Sequence, residues 1–189
     1  MNPIFEAALE VESICKRAGF RFCFIGGLAV QRWGQPRMTA DVDLTVVTGF
    51  GGEEPYVDTL LTALRPRIPD AREFALQHRT LLVAASNGVH ADISLGAMPF
   101  EERAVERASP FEVAPRASVT TCSAEDLIVH KAFAGRAKDW LDIEGVVVRQ
   151  GVRLDVKQIW GELLPLLELK DDRVTEPRLR SVLAALRDP

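Results

Sequence analysis

The triplet Asp41-Val42-Asp43 sets two carboxylates one residue apart at the head of an apolar run. Successive side chains of a strand point to opposite faces, so both acids leave one face roughly 7 Å apart. Val42 and Leu44 then turn the other way, into a core. At that distance two like charges repel by about 2–3 kcal/mol at an effective dielectric of 20. A divalent cation between them reverses the sign, and magnesium takes one or two carboxylates together with waters and phosphate oxygens. With 12 aspartates in 189 residues, chance supplies about one such triplet, so the motif needs company. Gly26-Gly27 follows a short apolar run and precedes a helical pattern. Glycine lets the backbone approach a ligand closely, and free N–H groups at a helix start suit a phosphate. Gly51-Gly52 is a second glycine pair, but no apolar strand leads into it. Asp92, in Ala91-Asp92-Ile93, is an acid inside a predicted strand. Asp is unfavourable there, so it requires a cation, a backbone donor or solvent at a strand end.

The order of these features carries more than any one of them. Phe24-Ile25-Gly26-Gly27, then Asp41-Val42-Asp43-Leu44, then Ala91-Asp92-Ile93 fall within about 70 residues. In this the chain resembles the DNA polymerase β-like nucleotidyltransferase superfamily. The resemblance implies metal-dependent transfer of a nucleoside monophosphate from an NTP to an acceptor. It assigns Mg²⁺ (or Mn²⁺) to Asp41 and Asp43, with Asp92 completing the metal site and helping to activate the acceptor. Gly26 and Gly27 would cradle the triphosphate. The 13 residues between Gly27 and Asp41 make a longer connection than the superfamily's minimal pattern. Such chemistry depends on positioning and charge neutralisation, which converging carboxylates around two metal ions supply. Arg37, just ahead of the acidic strand, is either a phosphate contact or a solvated loop arginine.

A second resemblance lies further along. Asp126-Leu127-Ile128-Val129-His130-Lys131, continuing to Gly135-Arg136-Ala137-Lys138-Asp139-Trp140-Leu141-Asp142-Ile143, is similar to the segment that follows the catalytic core in the AbiEii/AbiGii toxin-like branch. Lys131 lies on the apolar stripe of its helix. It either snorkels along its stem to solvent or points at an anion, and the resemblance favours NTP phosphate. Asp139 and Asp142 share a helix face and are placed to pair with Arg136 or Lys138; a direct catalytic role for them is the weaker reading. The toxin-like branch implies an RNA acceptor such as the tRNA 3′ end, and a cognate antitoxin protein. A small-molecule adenylyltransferase of the antibiotic-modifying kind is the enzymatic alternative. A non-catalytic nucleotide-binding or interaction domain of the same fold is the third reading. Against it stands the intact acidic set, which has no physical reason to persist without a cation.

The elements that must position these residues follow from the hydrophobic pattern. Residues 3–18 repeat at helical spacing and stop at Gly19. Phe22–Ile25 reads as a buried strand, Leu28–Trp33 as a short helix, and Val42–Val47 as a central strand. Tyr56–Leu64 is a helix broken by Pro66 and Pro69. Leu81–Ala85 and Val89–Leu95 form two strands around Ser86-Asn87-Gly88, a hairpin connection. Glu101–Arg107 is a short helix and Phe111–Val113 a strand. Ser123 begins a capping box with Asp126, and helical spacing then continues to Leu186. The expected class is α+β: a nucleotidyltransferase-type mixed β-sheet flanked by helices, followed by a C-terminal helical bundle. The core is placed at 1–117 and the helical region at 118–189, packed on it, with Ala114–Thr121 as linker.

Composition narrows the remaining classes. The 47% hydrophobic and 26% charged residues are those of a globular chain. Cys15, Cys23 and Cys122 are odd in number and widely spaced, which excludes a disulfide framework or zinc ribbon. No apolar run approaches 18 residues and no signal segment opens the chain, so a cytoplasmic protein without membrane partners is expected. The net charge of −4 excludes a protein that coats nucleic acid by charge alone. His78, His90 and His130 lack metal-ligand spacing, and Trp33, Trp140 and Trp160 read as core or interface rather than base-stacking platforms.

Overall fold

The acidic segment is a strand, as its alternation requires, in the computed structural model, which describes residues 2–184. Helix α1 (Pro3–Arg17) is capped by the Asn2 side chain, which accepts from the Ile4 amide. Gly19, at φ +70°, then turns the chain into β1 (Phe22–Phe24) and α2 (Gly26–Trp33). Strand β2 (Asp41–Val47) is followed by α3 (Glu54–Ala63), β3 (Arg65–Pro66) and α4 (Ala71–His78). Next come β4 (Thr80–Ala84), β5 (His90–Gly96), α5 (Pro99–Glu106), β6 (Ser109–Ala114) and β7 (Ala117–Thr121). Helices α6 (Ala124–Ala134), α7 (Ala137–Gln150), α8 (Val156–Lys170) and α9 (Thr175–Ala184) complete the described chain.

The strands form one mixed sheet in the order β3-β4-β5-β2-β1-β7-β6. Strand β2 lies at its centre, antiparallel to β1 and parallel to β5. The β4–β5 hairpin is antiparallel, as the Ser86-Asn87-Gly88 connection predicts. Alternation sends Val42, Leu44 and Val46 of β2, with Ala91, Ile93 and Leu95 of β5, into a core shared with Ala7, Val11, Val57 and Leu60. Asp41, Asp43 and Asp92 therefore stand on the opposite face. The α+β expectation holds: a mixed sheet flanked by helices, then a run of helices.

Three segments differ from the sequence reading, the two-residue β3 among them. The stretch Ala114–Thr121, expected as a linker, holds the end of β6 and all of β7, the two strands being antiparallel. Its Ser and Thr residues give no apolar run, but a long-range contact holds the strand. The carboxylate of Glu12, buried on α1, accepts from the Thr120 amide at 2.9 Å and its hydroxyl at 3.0 Å. Helix α4 is hidden in the sequence between Pro69 and a charged stretch, its buried face reduced to Ala71 and Ala75.

The chain divides into two units: residues 2–28 with Met38–Cys122, and Ala29–Arg37 with the described residues from Ser123 onward. The second unit is helical. The Ser123 hydroxyl accepts from the Asp126 amide at 3.0 Å and donates to its carboxylate at 2.8 Å, the expected start of α6. Helix α7 holds residues 31–34 through their carbonyls. Arg149 Nη1 donates to Gly34 O at 2.7 Å, and Gln150 Nε2 to Trp33 O at 2.6 Å. Gly145 lets this segment come close: a Cβ there would lie 3.2 Å from the Gln35 amide. All three cysteines are buried thiols outside any disulfide. Among the described residues no helix is long and apolar enough to cross a membrane.

Candidate active site

Asp43 and Asp92 are direct partners in the parallel β2–β5 register, so their side chains stand side by side on one face. Asp41 shares that face two residues earlier. The register extends further. Leu82 of β4 pairs with Asp92, and the Arg67 amide, one residue past β3, donates to Leu82 O at 3.1 Å. Ile25 donates its amide to Asp43 O at 2.9 Å on the other side. One row across the sheet thus reads Arg67, Leu82, Asp92, Asp43, Ile25, and the next residue is Gly26.

Gly26 begins α2 at φ +55°, in the left-handed region that side chains resist. A Cβ built there would lie 1.9 Å from Asp43 Oδ2. A Cβ on Gly27 would lie 2.3 Å from Thr39 Oγ1, and that hydroxyl donates to Asp41 Oδ1 at 3.1 Å. The glycine pair is therefore a cradle for Asp43 and Thr39 as well as the start of a helix, whose first amides have no partners within it. Thr39 escapes a reading of the sequence; its only signal is its position two residues before Asp41.

This cradle yields an expectation with its own control. Gly26→Ala should reduce activity by about 10²-fold, because the methyl group displaces Asp43 from the geometry on which the chemistry depends. Gly19 has a similar φ, and no atom lies within 4 Å of the place a methyl group would take. Gly19→Ala should therefore cost about 1–2 kcal/mol of backbone strain and leave activity unchanged. Thermal melts paired with initial rates separate the two effects.

The acidic face offers hard oxygen donors, which suit a magnesium ion held by one or two carboxylates with water and phosphate oxygens. Among the described residues no three His, Cys, Asp or Glu side chains are grouped closely enough to hold one ion as they stand. Asp92 is engaged instead with Arg67, whose Nη1 donates to Asp92 Oδ1 at 2.6 Å. A cation thus already occupies the third carboxylate, and the Asp41–Asp43 pair fits an ion of the expected type. Arg67 is not legible in sequence as a site residue, lying between two prolines in a segment that gives no strand signal.

The remaining candidates form a separate constellation in the helical unit. Lys131 Nζ sits between Asp139 Oδ1 at 2.9 Å and Asp142 Oδ2 at 2.8 Å. Arg37 grips Asp142 with Nε at 2.7 Å and Nη2 at 2.9 Å, a bidentate geometry. Arg136 Nε donates to Asp139 Oδ2 at 2.6 Å. Lys131 is thus neither at the surface nor alone, and Arg37 is a partly exposed member of an ion network, not a solvated loop residue. Arg136, not Lys138, partners Asp139. Burial works to raise the carboxyls of Asp139 and Asp142. The hydrogen bonds from Arg136 and Lys131 on the first, and from Arg37 and Lys131 on the second, outweigh it and hold both below the usual Asp range. Lys131, Arg37 and Arg136 thus converge on the two carboxylates. Trp140 belongs to the core at 2% exposure, as expected.

Comparison with known structures places this sheet and its flanking helices in the nucleotidyltransferase-like fold. An antigenic nucleotidyltransferase-like protein from Paracoccidioides brasiliensis aligns with a TM-score of 0.53 at 13% identity, covering 96% of this chain and 92% of its own. The antibiotic-resistance factor ANT(2'')-Ia in solution gives 0.53 at 16% identity, over 88% of this chain and 92% of that one. ANT(2'')-Ia in complex with adenylyl-2''-tobramycin gives 0.53 at 13%, over 88% and 98%. No curated protein matches the chain. The family model for the nucleotidyl transferase AbiEii toxin of type IV toxin–antitoxin systems matches residues 18–188. The chain belongs to that family.

Proposed function

We propose that this protein transfers a nucleoside monophosphate from an NTP to an RNA acceptor hydroxyl, as the toxin of a toxin–antitoxin pair with a cognate antitoxin protein. The observation that carries the reading is the row in which Gly26 is pressed on Asp43 and Asp43 is paired with Asp92, with Asp41 on the same face. Asp41 and Asp43 would hold Mg²⁺ (or Mn²⁺), which when bound supplies charge neutralisation for the triphosphate and the attacking oxygen. The amides of Gly26, Gly27 and Leu28, at the start of α2, donate to phosphate oxygens. Asp92 accepts the proton of the acceptor hydroxyl as its oxygen bonds to the α-phosphorus and pyrophosphate leaves. Asp41 is held for its part by the Thr39 hydroxyl. Within the helical unit, the partly exposed Arg37 and Arg136 are the candidate anion contacts. In this reading Lys131 and the two aspartates orient them.

A small-molecule acceptor is the second reading. The net charge of −4 favours it over a polyanionic acceptor, and ANT(2'')-Ia, solved in complex with adenylyl-2''-tobramycin, shares the fold. The test is incubation of the protein with Mg²⁺ and each labelled NTP in turn, with total RNA or an aminoglycoside panel as acceptor. The proposal expects label in RNA from one preferred NTP. Label only in the aminoglycosides replaces it with the second reading, and label in neither favours a binding domain.

A further inference from the structure

Asp92 stands beside Asp43 on one sheet face, and a cation from the neighbouring edge meets it. The Arg67 guanidinium reaches along the row, over Leu82, to place Nη1 2.6 Å from Asp92 Oδ1. Its side chain is 22% exposed and that of Asp92 36%, so the pair is partly shielded from water. The Arg67 amide is anchored to Leu82 O, which fixes the base of the side chain one strand away from the acid it meets. Arg67 lies outside the helical segment and outside the glycine cradle, and the catalytic scheme above gives it no role.

We propose that Arg67 is a resident counter-ion that competes with the divalent cation for Asp92, holding the third carboxylate until metal and nucleotide arrive. This rests on the reading of Asp41 and Asp43 as the metal-binding pair. In the ion-free protein Arg67 neutralises Asp92 and lowers the repulsion between Asp92 and Asp43. With the cation and triphosphate bound, Asp92 would be free of Arg67 to serve the ion and the acceptor hydroxyl. Arg67 is thus a positioning residue, and its removal should make the free site bind metal more tightly.

The experiment is titration of Mn²⁺ into the nucleotide-free full-length protein, followed by electron paramagnetic resonance. Arg67→Met should lower the dissociation constant about fivefold, the size expected for removing a partly exposed competing charge. Arg67→Lys should stay within about twofold of wild type, since it keeps the charge. The decisive comparison is made in an Asp92→Asn background, where Arg67→Met should give no further gain. If the gain persists there, it is a long-range charge effect and the proposal is overturned. Unchanged or weaker binding by Arg67→Met overturns it too, while leaving the Asp41–Asp43 reading in place. An absence of Mn²⁺ binding in wild type, indistinguishable from Asp43→Ala, overturns both. Far-UV circular dichroism melts check that each variant folds, and Arg67→Gln supplies the same comparison if the methionine variant does not.

Discussion

Replacing Asp43 by asparagine should reduce nucleotide transfer by roughly 10³-fold or more, at the upper end of the loss from deleting one oriented electrostatic contact in an active site. Asp43 is where three constraints meet. Its carboxylate lies against the Gly26 backbone, its strand neighbour is Asp92, and Asp41 shares its face. Asparagine keeps the shape, so the glycine cradle and the sheet register remain intact, but it removes the charge. Its melting midpoint should therefore stay near wild type, or rise slightly as repulsion across the row falls. Label incorporation and a thermal melt on one preparation check both halves. In cells, induced wild-type protein should arrest growth and the Asp43→Asn variant should not. Equal growth of the two strains would remove the toxin reading while leaving a small-molecule enzyme standing.

Lys131→Ala should destabilise the helical unit by about 3 kcal/mol. The lysine side chain is 6% exposed, and its partners Asp139 and Asp142 are 0% and 4% exposed. Removing one member of a buried ion pair strands the other, which typically costs about 3–5 kcal/mol. Arg136 and Arg37 still serve the two acids, which places the value at the lower end. For a chain of this size that is a fall of about 6–12 °C in melting midpoint. A midpoint unchanged by the substitution, with activity lost, would make Lys131 a ligand contact rather than a bolt. The same network sets the acid limit. Asp139 and Asp142 titrate below their unfolded value, near 3.9, so their stabilisation is complete above that value. It is lost as pH falls through their depressed folded values. Urea midpoints between pH 7 and pH 3 should fall in wild type and fall less steeply in Asp142→Asn.

What the sequence made legible was local. The shared face of Asp41 and Asp43 follows from period-two alternation, and the Ser123 cap from its spacing to Asp126. The Gly26-Gly27 turn is visible as a strand-to-helix junction, although its close approach to Asp43 and Thr39 is not. Pairing of Asp43 with Asp92 depends on a parallel crossover containing α3, β3, α4 and β4, and no local pattern sets that register. Arg67 meets Asp92 only because the two-residue strand just before it, Arg65–Pro66, forms the sheet edge beside β4. Likewise Arg37 and Asp142, 105 residues apart, are brought together by the packing of residues 31–37 on α7. Strand β7 escapes notice because a buried glutamate, not an apolar run, secures it.

The most direct test is crystallographic: crystals soaked with Mn²⁺ and a non-hydrolysable NTP, with diffraction measured at a wavelength where manganese scatters anomalously. A manganese peak is expected at the carboxylates of Asp41 and Asp43, with the triphosphate beside the amides of Gly26 and Gly27. Bound nucleotide with no manganese at those two aspartates, or manganese seated elsewhere on the chain, would contradict it.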